Sequence, residues 1–219
     1  MSDDLRQPRL LKFYQDYLDR PDCSVFSSRV SDCYTVGTLQ RLASHATREV
    51  RRGAALALGC LGDYESNATL GTALLDEDRT VRILAENGIR QVWTRTASDR
   101  DRIQLEAIIR LNAARQFEKV LVMAGDLIKR VPSFAEAWNQ RAYAHHALGH
   151  YDDSVRDCHE ALEINPYHFI AAVGMGRAYL ELGNPLSALE SFRRALRLNP
   201  DLEGVRAQAD RLAKLVEGT

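Results

Sequence analysis

Apolar residues recur every three to four positions along most of the chain, the period of a helix buried along one face. Residues 7–19 place Leu10, Leu11, Tyr14, Tyr17 and Leu18 in that register and predict an amphipathic helix. Residues 20–33 are poorly patterned, and Pro21 with four serines predicts a loop with at most a short helix. Helical stripes resume in REVRRGAALALGCLGD and RTVRILAENGIRQVW, each preceded by a shorter apolar stretch, Leu39–Ala43 and Leu70–Leu75. From about residue 101, stripes come in pairs separated by short breaks. In the best-marked pair the first helix covers roughly 134–148 and ends at Gly149, a residue suited to the left-handed helix cap. Its second helix covers roughly 152–164 and stops at Asn165-Pro166, because proline cannot continue a helix and disfavours helical geometry in the residue before it.

Two fixed periods underlie the stripes. In the second half Pro132, Pro166 and Pro200 are 34 residues apart, as are Phe117, Tyr151 and Pro185, Gly149 and Gly183, and Ala161 and Ala195. In the first half Arg48–Arg52 and Arg79–Arg82 are 31 residues apart, a spacing shared by Ala54 with Ala85 and Leu39 with Leu70. Repeats of this length signal stacked supersecondary units, each burying its apolar face on its neighbours. Asp76-Glu77-Asp78 precedes the second arginine cluster and would set carboxylates at a helix N-terminus, where free amides and the helix dipole favour them.

These residues resemble two repeat families. Trp138, Ala142, Gly149, Tyr151, Ala161 and Pro166, then Gly176, Tyr179, Gly183, Ala188, Phe192, Ala195 and Pro200, are similar to the tetratricopeptide (TPR) repeat. Ile108, Leu111, Phe117, Val120, Ala124 and Pro132 give a weaker first unit. The arginine-bearing fragments of the first half resemble short HEAT repeats. The resemblances imply an all-α fold, a right-handed α-α superhelix (solenoid). Residues 1–33 would form an N-terminal capping helix and loop, and 34–97 HEAT-like hairpins. Residues 98–201 would hold three TPR hairpins (about 101–134, 135–168 and 169–202), and 202–219 a C-terminal capping helix. That last helix turns Arg206, Gln208, Asp210, Arg211 and Lys214 outward, the polar cap a terminal repeat needs.

Charge narrows the function. Lys and Arg number 29 against 30 Asp and Glu, a net charge of −1, with no charged tail. This argues against nonspecific nucleic-acid or anionic-membrane partners. Cys23, Cys33, Cys60 and Cys158 form no CxxC pair, so a structural zinc site is not expected, and Cys60 and Cys158, inside apolar helical patterns, read as small core residues. No apolar run of signal-peptide or membrane-spanning type is present, and the expectation is a soluble cytoplasmic protein.

The search for catalytic chemistry returns no motif. HExxH, GxSxG, a P-loop and GxGxxG are absent, and Gly174-Met175-Gly176 falls inside a helix. His146 and His150 have the spacing of a helical metal pair, but the helix ends between them at Gly149, so no metal site is assigned. His145 aligns with Tyr179 and reads as an inter-helix packing residue. Arg141 stands where the TPR pattern has a large apolar residue; pairing with an acidic neighbour and snorkelling outward both stay open. No cofactor and no catalytic residue is expected.

What the TPR resemblance implies is a concave face that holds a peptide or helix of a partner protein. Its groove sites fall on Ile109 and Asn112, on Asn139, Tyr143 and His146, and on Val173, Arg177, Leu180 and Glu181. One TPR subtype clamps the C-terminal carboxylate of heat-shock chaperones with lysines, asparagines and an arginine. The matching positions here are Leu105, Ile109, Gln140, Ile170 and Gly174, so that clamp is not expected. The reading is a non-catalytic scaffold or adaptor for another protein. A bilin-lyase-like or other enzyme accessory protein, and a self-assembling solenoid or homo-oligomer, are the alternatives.

Overall fold

The structure, a computed structural model, describes residues 8–95 and 97–218. Expectations for residues 1–7, Thr96 and Thr219 lie outside it. The described residues form thirteen α-helices and one 3-10 turn, with no strand. The chain divides into two compact units, 1–95 and 96–219.

The first unit holds α1 (Arg9–Asp19), α2 (Cys23–Ser31), α3 (Val36–Leu42), α4 (Arg48–Leu61), α5 (Asn67–Ala73) and α6 (Arg79–Arg95). The stretch read from sequence as a loop with at most a short helix is largely α2, a helix of 9 residues. Asp22 caps it, accepting from the amides of Ser24 and Val25 at 2.9 and 3.1 Å, and Phe26 and Val30, four residues apart, bury its one apolar edge. Helix α4 is the centre of the unit and packs on α1, α2, α3 and α6. It meets α6 backbone to backbone: a Cβ on Gly59 would stand 2.8 Å from Gly88 Cα.

The arginines of the 31-residue period fasten one hairpin to the next. Arg51, 8 % exposed, holds Asp76 with two hydrogen bonds of 2.7 and 2.9 Å and also donates to the carbonyls of His45 and Ala46. Arg82 repeats the second contact on the carbonyls of Asp76 and Glu77. Arg52 pairs with Asp78, whose Oδ1 also caps α6 at Val81. The guanidinium beside it leads the causes that hold the Asp78 carboxyl down at about 2.

The second unit is three hairpins and a closing helix. They are α7 (Asp99–Ala113) with α8 (Phe117–Arg130), α9 (Ala135–Ala147) with α10 (Tyr151–Ile164), and α11 (Phe169–Glu181) with α12 (Pro185–Leu198), followed by α13 (Glu203–Glu217). The 34-residue period is visible in the boundaries. Phe117, Tyr151 and Pro185 each begin a second helix, and Pro132, Pro166 and Pro200 each follow one by two residues. Asn165 and Asn199, both 1 % exposed, accept from the amides of Tyr167 and Asp201 and shape the turns around those prolines. Small residues let the paired helices touch. A Cβ on Gly176 would fall 2.6 Å from the Phe192 ring. The expected outward residues of α13 are all exposed, while Val205, Ala209 and Leu212 seal the last hairpin.

The turn between paired helices needs a left-handed residue. Gly149 and Gly183 supply it with φ of +80° and +68°; in the first hairpin the position is Arg115, with φ 56°. A side chain there costs about 1–2 kcal/mol. Arg115→Gly should therefore raise the thermal midpoint, by less than that full cost because glycine also frees the unfolded chain. An unchanged or lower midpoint in calorimetry would contradict the assigned turn. Gly176→Leu should do the reverse, overpacking the Phe192 contact by about 1–3 kcal/mol or more; a wild-type melting curve would show that the helices do not meet there.

Candidate functional site

Helices α7, α9 and α11 each turn a stripe of residues, three or four apart, toward the same side of the second unit. Ile109, Asn112, Asn139, Tyr143, His146, Val173 and Arg177 come together around one cavity of about 650 Å³. Ile170 and Gly174 of α11 and Ser154 and Cys158 of α10 complete its wall. Two of the sequence-assigned sites lie elsewhere. Leu180 is half-buried against the core of the unit, and Glu181 is exposed in the final residue of α11. The helix register carries them past the rim once Arg177 has reached it.

A largely buried polar network adjoins the cavity through Asn112, Asn139 and Gln140. Glu136, 7 % exposed, accepts from Gln140 Nε2 at 2.6 Å and from Asn139 Nδ2 at 3.2 Å. Its other oxygen is 2.9 Å from His168 Nε2. His168 is fully buried, and its Nδ1 accepts from the Ala171 amide at the start of α11. Because Nδ1 accepts, Nε2 carries the proton and donates to the carboxylate. Burial alone would push the Glu136 carboxyl up; the donors from His168, Gln140 and Asn139 outweigh it and hold the carboxyl below its usual range. Gln140 in turn fixes Asn112, whose Nδ2 donates to the Gln140 side-chain and backbone oxygens at 2.7 and 3.0 Å. One hydrogen-bonded chain thus links all three hairpins. Asn139 is part of it, so its side chain has a structural duty that the repeat register does not suggest.

Two buried polar atoms on the lining have no hydrogen-bond partner, Asn112 Oδ1 and His146 Nε2. Such atoms cost on the order of 1–3 kcal/mol each while unsatisfied. Around them the wall is mixed. Ile109, Ile170 and Val173 are apolar; Tyr143 is 55 % exposed, with its ring edge-on to Phe117; and Arg177 is exposed at the rim. Cys158 is buried, and burial leads the causes that push its thiol up to about 12. Gly174 lies over it, and a Cβ at that position would stand 3.1 Å from the sulfur.

Arg141 is settled as paired. It grips Asp157 through two 2.7 Å hydrogen bonds, with its guanidinium 5.0 Å from the Trp138 ring centroid. Seven of the nine residues assigned from the repeat register line this cavity, but the side chains that support them are not marked in the repeat pattern. Glu136 in the first turn of α9 and His168 just before α11 carry no motif that marks them as partners. No helix among the described residues is long and apolar enough to cross a membrane.

Paired antiparallel helices repeating every 34 residues, with first helices sharing one lined face, define a helical-repeat protein. Residues 135–168 and 170–202 match the tetratricopeptide repeat and are two such repeats. A TPR repeat-containing protein of Rhizobium etli is 27 % identical over 132 residues, 60 % of this chain and 65 % of that one. The small glutamine-rich tetratricopeptide repeat-containing protein 2 of Saccharomyces cerevisiae is 33 % identical over 92 residues, 42 % of this chain and 25 % of that one. The chain therefore spans less than two-thirds of either relative. Among solved structures, the first TPR of Spaghetti (RPAP3), bound to an HSP90 peptide, superposes with a TM-score of 0.53 at 16 % identity, covering 55 % of this chain and 96 % of that one.

The buried carboxylate has a pH signature. A carboxyl held low in the folded state stabilises it fully above the unfolded value near 4.3, and that contribution is lost as the pH falls through the folded value. Glu136→Gln should lower the thermal midpoint at pH 7 and flatten its decline on acidification below about pH 4.3. An acid limb as steep as that of the wild type would contradict the low-lying carboxyl.

Proposed function

We propose that the second unit is a protein-interaction module, and that its cavity takes an extended peptide segment of a partner protein, making this chain an adaptor. The observation that carries the reading is the pair of unpartnered buried atoms, Asn112 Oδ1 and His146 Nε2, on the wall of a cavity. A peptide backbone offers the N–H and C=O groups that would satisfy them. The Ile109, Ile170 and Val173 surface suits an apolar side chain, and Arg177 at the rim suits a carboxylate. The yeast and Rhizobium relatives bear TPR names, and the Spaghetti domain holds an HSP90 peptide, which supports a peptide as the class of ligand. This chain has Leu105, Ile109, Gln140, Ile170 and Gly174 where the resemblance places the carboxylate clamp, which favours a partner segment less acidic than that peptide. The HEAT-like reading of residues 34–95 is supported by the matching contacts of Arg51 and Arg82 with the carbonyls five and six residues before them.

Two variants separate binding from folding. Tyr143→Ala with Arg177→Ala changes exposed cavity residues and leaves the Glu136 network intact. Tyrosine and arginine often dominate interface energies, so partner capture should fall by tenfold or more, at about 2 kcal/mol for a central contact. Stability should change by no more than about 0.5 kcal/mol per site. A set on the exposed side of α10, Arg156→Ala, Glu160→Ala and Glu163→Ala, should bind as the wild type does. Loss of the partner by the α10 set but not by the cavity pair would overturn the assignment.

A further inference from the structure

The turn of the central hairpin gathers a second group of side chains outside the cavity. The chain leaves α9, reverses through the left-handed Gly149 and enters α10 at His150 and Tyr151. The reversal separates the two histidines whose spacing resembles a metal pair. His146 turns toward the cavity and sets its ring edge-on to Tyr151, the centroids 5.4 Å apart. His145 faces His150 instead, with centroids 5.7 Å apart and the rings tilted by 51°. Asp153, one turn into α10, joins them. One ligand atom from each of His145, His150 and Asp153 lies within 4.8 Å of the other two.

His145 is the unusual member. Its side chain is 16 % exposed, its Nδ1 is buried with no hydrogen-bond partner, and its Nε2 stands 3.8 Å from Asp157, beyond hydrogen-bond reach. A buried imidazole nitrogen without a hydrogen-bond partner is poorly accounted for as packing alone.

We propose that His145, His150 and Asp153 bind a Zn²⁺ ion, which clips the last turn of α9 to the first turn of α10. Two imidazoles and a carboxylate suit zinc over the hard cations calcium and magnesium, which take oxygen ligands. Three protein ligands leave a fourth position for water. Ligands about 2.0–2.2 Å from a tetrahedral ion lie roughly 3.5 Å apart, so the group has to close by little more than 1 Å. His150 is exposed and can supply the movement. Asp153 has to exchange its pairing with Arg156, whose side chain is 71 % exposed and readily displaced. Asp157 stands 3.8 Å from His145 Nε2 but is already paired with Arg141, so it is not counted among the ligands. The site needs no partner protein, so its test is independent of the cavity's.

The test uses the full chain, freed of any affinity tag and stripped with chelator. Calorimetric titration with Zn²⁺ should show one ion bound per chain, and Co²⁺ should give the intense visible absorption of a four-coordinate ion. His150→Ala and Asp153→Asn should each weaken Zn²⁺ at least tenfold and abolish that absorption, whereas His159→Ala, an exposed histidine further along α10, should not. In chelator both variants should melt with the wild type, and added Zn²⁺ should raise the midpoint of the wild type alone. Zn²⁺ uptake by both variants equal to that of the wild type would overturn the proposal as adventitious binding only, and so would the absence of any uptake at micromolar Zn²⁺.

Discussion

A carboxylate without access to water has to be met by donors, and in the second unit that demand falls at Glu136. Leaving the charge unpaired would cost several kcal/mol. Three donors from two hairpins converge on it, and each then holds something else: His168 caps α11, Gln140 fixes Asn112, and Asn139 faces the cavity. The stripe of first helices is therefore not free to slide. A one-turn shift of α11 against α9 would strand the carboxylate, so the same interaction that costs desolvation also sets the register of the lined face.

The first unit uses the same logic with different residues. Arg51, buried among Asp76 and two backbone carbonyls, joins one hairpin to the next as His168 and Glu136 do. Arg130 with Asp101, and Arg141 with Asp157, act inside hairpins, tying second helices to first. Buried pairs of this kind add little net stability over apolar packing. What they supply is alignment, on top of close contacts such as Gly59 against Gly88 and Gly176 against Phe192 that apolar burial drives.

The fold was largely legible because its grammar is local. A proline two residues beyond a helix, a left-handed glycine at a turn and a small residue at a crossing are each read at one position and repeated at a fixed distance. The 34-residue period gave the hairpin boundaries nearly to the residue. Helix α2 shows only weakly in the sequence because its apolar edge is only Phe26 and Val30, and its capping aspartate sits among loop-forming residues. The cavity was legible to the same extent as the register, and seven of the nine assigned residues line it. Partnerships were not. Nothing in a one-dimensional pattern says that Arg141 finds Asp157, that His168 donates to Glu136, or that His145 rather than His146 meets His150; these depend on which way a side chain turns after the chain reverses.

In the proposed function a bound peptide satisfies the orphaned atoms of the cavity, Asn112 Oδ1 and His146 Nε2. The direct measurement is nuclear magnetic resonance on the full chain, titrated with peptides selected from a randomised displayed library. Binding should shift the His146 imidazole nitrogens and the Asn112 side-chain amide together, at the same peptide concentration, with resonances of residues 8–95 unmoved. Selected peptides that bind while leaving both side chains unshifted, or that act on the first unit instead, would contradict it.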